Sequence, residues 1–97
     1  MKQKRVTIYT TQYCGYCIAA KQLLDTKKIA YREIRTDGRS DLRNWIAKAS
    51  GRHTVPQIFI DGRSIGGYTR LAAMAQSGEL DELLAQQPPA EQPAFPS

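Results

Sequence analysis

Cys14 and Cys17 are the residues in this chain best able to do chemistry, and only Gly15 and Tyr16 separate them. A Cys-x-x-Cys pair has two common uses. A closed zinc site takes four ligands, usually from two such pairs. This chain offers one pair and one histidine, His53, so no metal is expected. Redox chemistry needs only two thiols and a suitable place. At the start of a helix, unpaired N–H groups and the helix dipole favour a thiolate, the nucleophilic form. Cys17 follows almost one helical turn later, so the two side chains face each other and can form a disulfide with little backbone movement. Cys14 is then the attacking thiol and the more buried Cys17 the resolving thiol. The plain alternative is two ordinary buried cysteines.

The elements around the pair decide between these readings. Val6-Thr7-Ile8-Tyr9-Thr10 alternates and is β-branched, which predicts a strand. After a short polar link, Ile18 to Lys27 predicts a helix with Ala20, Leu23 and Leu24 on one face. Ile29 to Ile34 predicts a second strand, and Asp37-Gly38 a turn. Ser40 is a candidate N-cap with Asp41 in the first turn. Leu42, Trp45, Ile46 and Ala49 recur at helical spacing, and Gly51 stands where that helix would stop. Gln57-Ile58-Phe59-Ile60 and Arg63-Ser64-Ile65 flank Asp61-Gly62, a strong hairpin signal. Tyr68 to Ser77 predicts a helix with Leu71, Met74 and Ala75 inward. Gly78 breaks it, and Glu79 to Gln86 predicts a last short helix bearing Leu80, Leu83 and Leu84. The order is β-α-β-α-β-β-α-α. Its first βαβ unit implies a right-handed parallel crossover, and the helices cover the sheet. The pair therefore lies at a strand-to-helix junction. Met74 and Trp45 fall in apolar helical periods and are read as core.

The 97 residues fit one domain, with apolar content of 41% sufficient for a single core. We assign residues 1–86 to the folded domain. Residues 87–97 carry four of the five prolines and little to bury, so a disordered tail is expected there. The charge count is 14 basic against 9 acidic, a net +5. The basic residues are spread along the chain, which argues for a scattered basic surface and against nucleic-acid binding. Such a field favours anionic small molecules. The start, MKQKRVTIYT, has no apolar stretch long enough for a signal peptide, and no run could span a bilayer. The expected compartment is the cytoplasm, where thiols stay reduced and a structural disulfide is not expected.

Together, Ile8-Tyr9-Thr10, Cys14-Gly15-Tyr16-Cys17, Thr54-Val55-Pro56 and Gly66-Gly67 before a helix resemble the glutaredoxin family, in its small bacterial dithiol form. The resemblance runs from about Val6 to Leu84. Thioredoxins typically carry a Trp before the pair and a longer chain, and neither is seen here. The resemblance implies a thioredoxin-like α/β fold: a four-stranded mixed sheet with helices on both faces. It also implies a cis Val55-Pro56 bond, against the alternative of a plain trans proline at a strand edge. Val55 would then present its backbone to the cysteinyl part of glutathione, like one step of an antiparallel ladder. Thr54 and Pro56 belong to the same segment. Gly66-Gly67 would let backbone approach the ligand, and the N–H groups of Tyr68 and Thr69 would hold the γ-glutamyl carboxylate. Tyr16 would line the groove.

Three positions depart from the common pattern. Gly15 replaces the proline of Cys-Pro-Tyr-Cys. Thr11 stands where a Lys usually lies near the glycyl carboxylate. Tyr68-Thr69-Arg70 replaces Cys-Asp-Asp, so Arg70 takes the place of an acid expected near the γ-glutamyl ammonium. These changes bear on glutathione affinity rather than on thiol chemistry. Arg52 is either a substitute for the missing cation or a solvated surface arginine.

The resemblance implies an enzyme that reduces glutathione mixed disulfides and protein disulfides. Glutathione serves as co-substrate, with no metal or organic cofactor. The partners implied are glutathione, glutathionylated or disulfide-containing proteins, and indirectly the glutathione reductase system, with the chain a monomer. Two alternatives stay open: an iron–sulfur carrier bridging two chains through the first cysteine and glutathione, to which the looser Gly15 lends support, and a dedicated electron donor to a reductase.

Overall fold

The computed structural model describes residues 5–86. The tail expected over 87–97 lies outside them. The elements run β1 (Val6–Thr10), α1 (Gly15–Thr26), β2 (Tyr31–Arg35), α2 (Ser40–Ser50), β3 (Gln57–Ile60), β4 (Arg63–Gly66), α3 (Tyr68–Ser77) and α4 (Glu79–Ala85). They form one four-stranded sheet in the order β2-β1-β3-β4. β1 pairs parallel with β2 and antiparallel with β3, and β3 pairs antiparallel with β4. This is the mixed sheet and thioredoxin-like α/β architecture expected from the sequence.

Strand alternation sorts the core into two layers. Val6 and Ile8 of β1 and Ile58 and Ile60 of β3 face Ala20, Leu24, Leu71, Met74 and Leu80, so α1, α3 and α4 cover one face. Tyr9, Ile34 and Phe59 face Leu42 and Ile46, with Trp45 packed against them, so α2 covers the other. Trp45 stacks on Phe59 at 5.6 Å and 28°. Both Met74 and Trp45 are core, as their spacing indicates. The Asp61-Gly62 turn has φ of 53° and 80°, both positive as a type I′ hairpin requires.

Apart from one-residue shifts at element ends, the structure departs from these expectations at three element starts and one side chain, each for a local reason. α1 begins at Gly15, ahead of Ile18, because Cys14 acts as its N-cap: the Cys14 side chain accepts from the Cys17 N–H. β2 begins at Tyr31 rather than Ile29 because residues 27–29 close the helix. Lys28 takes a left-handed φ of 58°. Its N–H donates to the Asp25 carbonyl at 3.0 Å, and that of Ile29 donates to Leu24 at 2.9 Å, a Schellman closure with lysine in the usual glycine place. Ser40 is not the N-cap of α2. It is the first helical residue, Arg39 stands in the cap position, and no side chain caps the helix. Ala49 is exposed rather than inward, because only Leu42 and Ile46 of α2 are fully covered by the sheet.

Candidate functional site

The C-terminal end of β1 delivers the chain into the link that carries both thiols. Cys14 has extended backbone, φ −129° and ψ 107°, and the helix starts immediately after it. Its Sγ accepts the Cys17 N–H at 3.1 Å, one of the orphan donors of the first turn. That bond is strongest when the sulfur is ionised. On its other side the Cys14 thiol donates to the Val55 carbonyl at 3.8 Å. Both thiols are free. Cys14 is half-buried and Cys17 is buried. Burial, and next the hydrogen bond with Cys14, push the Cys17 thiol up to about 12. A backbone hydrogen bond from Thr11 and the Lys21 ammonium act against that rise. The two sulfurs therefore differ in access, although only two residues separate them.

Val55 belongs to the loop between α2 and β3. The Val55-Pro56 bond is cis, and Pro56 is buried. Gln57, fully buried on β3, reaches back through Nε2 to the Thr54 carbonyl at 2.9 Å and to Thr54 Oγ1 at 3.3 Å. Opposite the loop, a Cβ added at Gly67 would stand 3.4 Å from the Pro56 carbonyl, van der Waals contact that places the start of α3 directly against the loop. Gly67 is the N-cap of α3, with Tyr68 and Thr69 in the first turn. The Tyr16 ring is 67% exposed and lies 6.0 Å from the Tyr68 ring. Cys14, Tyr16, Val55, Pro56, Gly67 and Tyr68 thus come together, with Thr69 exposed beside them.

Thr11 contributes its backbone to Cys17. Arg52 and Thr54 line a groove of about 420 Å³ that runs from Val55 between α2 and the 52–55 loop. Sequence patterning missed the groove's opposite wall, which is formed by Arg39 at the cap position and by Arg43 and Asn44 of α2. The available signal was the basic pair at the start of this helix, Arg39 just before it and Arg43 within it. Arg70, in the first turn of α3, pairs its guanidinium with Glu79 at 3.6 Å, and both side chains are more than half exposed. The arrangement is a half-buried sulfur between an aromatic rim and a basic groove, with a second, buried thiol beneath it.

The Glutaredoxin family model matches residues 6–65. A glutaredoxin from Pseudomonas aeruginosa is 48% identical over 80 residues, which span 82% of this chain and 95% of that protein. Glutaredoxin 3 of Escherichia coli K12 is 48% identical over 79 residues, 81% of this chain and 95% of that protein. Among solved structures, the holo form of glutaredoxin C1 from Populus tremula x tremuloides aligns with a TM-score of 0.77 at 38% identity, covering 84% of this chain and 77% of that one. A buckwheat glutaredoxin–glutathione complex aligns with a TM-score of 0.77 at 31% identity, covering 84% and 76%.

Proposed function

Because the chain belongs to the glutaredoxin family and is a thiol–disulfide oxidoreductase, we propose that it reduces glutathione mixed disulfides and protein disulfides, with Cys14 as nucleophile and Cys17 as resolving thiol. The observation that carries this reading is the Cys14 sulfur itself. It caps α1, accepts the Cys17 N–H at 3.1 Å and stays half-buried, whereas Cys17 is buried. Cys14 thiolate attacks the glutathionyl sulfur and the protein thiol leaves. A second glutathione then attacks the Cys14 adduct, releasing glutathione disulfide and restoring Cys14. With a protein disulfide, Cys17 attacks the mixed disulfide at Cys14 instead.

Glutathione is the co-substrate in this reading, and the electrons pass between sulfurs without a metal or organic cofactor. The Val55 backbone takes the cysteinyl part of the peptide. The groove flanked by Arg43 and Arg52 takes one carboxylate, and the first N–H groups of α3, at Tyr68 and Thr69, take the other. The relative solved as a glutathione complex supports this choice of ligand. Arg43 and Arg52 together offset the cation missing at Thr11. The chain works as a monomer in the reducing cytoplasm, served indirectly by the glutathione reductase system. No helix among the described residues is long and apolar enough to cross a membrane.

A coupled glutathione reductase assay on a small glutathionylated disulfide tests the assignment. Cys14→Ser abolishes turnover and Cys17→Ser keeps it. A dead Cys17→Ser beside an active Cys14→Ser reverses the two roles. Glutathione reduces the oxidised protein faster than thioredoxin reductase with NADPH does, and the opposite order overturns the choice of reductant.

A further inference from the structure

Cys17 is the less reactive of the two sulfurs and yet, in the reading above, it has to become a nucleophile. The burial that lifts its pKa is opposed by few groups. Lys21 is one of them. It lies four residues after Cys17 on α1, so the two side chains are neighbours on one helix face. A lysine there could extend into water, but this one does not. Its Nζ is 3.0 Å from Glu33 Oε2 on β2, and the two side chains are only 30% and 31% exposed. The same Glu33 oxygen accepts the Thr10 hydroxyl at 2.7 Å, and Thr10 is fully buried at the end of β1. Burial pushes the Glu33 carboxyl up, but the Thr10 and Lys21 hydrogen bonds outweigh it, so the group stays ionised. Thr10 and Glu33 thus hold the ammonium against β2, on the side of the sheet that α1 covers. The other cation that feels Cys17 is Arg35, from β2. Like Lys21 it is paired with a carboxylate, Asp37 at 2.7 Å, but it is 48% exposed, so solvent screens it more.

We propose that Lys21, held in place by Glu33 and Thr10, is the positioning residue that makes Cys17 competent to attack, and so sets how readily the two-thiol route runs relative to the one-thiol route. The proposal rests on the reading of Cys17 as the resolving thiol. In the two-thiol step Cys17 releases its proton to solvent and its sulfur attacks Cys14 in the mixed disulfide. The Cys14–Cys17 bond forms and the Cys14–substrate bond breaks. The substrate leaves as a thiolate and takes up a proton, so substrate is reduced and the cysteine pair oxidised. In the one-thiol route an external glutathione makes the attack, and Cys17 takes no part. A charge that acts through Cys17 therefore affects one route selectively.

The test loads Cys14 with thionitrobenzoate and follows release of the coloured thiol by stopped flow across pH. The same preparations are assayed for glutathione-dependent turnover. In Lys21→Met the ratio of closure rate to turnover falls about three- to tenfold, the size expected for one partly screened charge at about 6 Å. The pH profile of closure moves upward, the gap narrows in high salt, and Lys21→Arg restores the ratio. An unchanged ratio in Lys21→Met overturns the proposal, as does an equal loss in both rates that Lys21→Arg does not repair. A wild-type adduct that never closes, while turnover persists, overturns the Cys17 assignment itself and shows that the fault lies in the underlying reading.

Discussion

Arg70 stands at the third residue of α3, a poor place for a cation because the positive end of the helix dipole lies there. Glu79, from the start of α4, partly offsets it across 3.6 Å. If glutathione binds as proposed, Arg70 lies near the γ-glutamyl ammonium. Two like charges about 6 Å apart in a solvated site repel by roughly 0.7 kcal/mol, and an acid there would attract by a similar amount. The full swing is about 1.4 kcal/mol, or roughly tenfold in affinity. Because Glu79 already cancels part of the arginine's charge, the swing in this protein is smaller. Arg70→Asp is therefore expected to tighten binding of an S-alkyl glutathione by up to about tenfold, read by titration calorimetry, with the effect shrinking in salt. Weaker binding in the variant would mean that Arg70 holds a glutathione carboxylate and that the pose differs at this residue. Single residues also mark the limits of sequence reading here. The Val55-Pro56 segment was legible because its motif is local. Arg43 was not, because a basic residue on the solvent side of a helix resembles any solvated face until α2 closes against the 52–55 loop.

At the scale of elements, α1 shows how one side chain sets both a boundary and a site. Cysteine is not among the favoured N-caps, so hydrophobic period alone put the helix start at Ile18, whereas the sulfur starts it at Gly15. Gly15 is thus the first helical residue, where proline is favoured. Cys14 already has the extended backbone that a following proline demands. A Cβ at Gly15 meets nothing within 4 Å. Gly15→Pro is expected to stabilise the fold by about 0.4–1 kcal/mol, chiefly by restricting the unfolded chain. Urea titration checks this, and a loss of stability would show that the Gly15 N–H or its φ is needed as it is. Elements with strong period or turn chemistry, such as β1, the Asp61-Gly62 hairpin and α3, were legible to within a residue. The start of β2 was not, because its delay depends on Lys28 adopting a left-handed conformation that lysine does not signal.

Across the whole molecule, Arg5 ties distant parts of the chain together. Its guanidinium meets both Asp61 carboxylate oxygens, at 2.9 and 2.7 Å, and the carbonyls of Leu84 and Gln86, each at 2.8 Å. The entry to β1, the hairpin turn and the end of α4 are joined in one cluster. Arg5→Met removes a bidentate partner of a largely buried carboxylate and is expected to cost about 2 kcal/mol, below the 3–5 typical of fully buried pairs because Arg5 is partly wet. Equilibrium unfolding in urea measures it, and a loss under about 0.5 kcal/mol would make the cluster incidental. Alkaline stability depends on two buried groups on opposite faces of the sheet. Burial pushes Tyr9 up to about 12 from 10.0, and Cys17 up to about 12 from 9.0. Both are neutral when protonated, and the fold favours that form. Their contribution is complete below the unfolded pKa values and is lost as pH rises towards the folded ones. Reduced protein should therefore hold its stability up to about pH 9 and then lose it, first through Cys17 and above about pH 10 through Tyr9 as well. Each group adds a slope approaching 1.4 kcal/mol per pH unit. Cys17→Ala lowers stability at neutral pH through lost packing but flattens the segment between about pH 9 and 10. Tyr9→Phe leaves that segment steep and flattens the one above it. Parallel curves for wild type and Cys17→Ala from pH 9 to 10, under reductant, would show that the Cys17 thiol ionises as freely in the fold as in the unfolded chain.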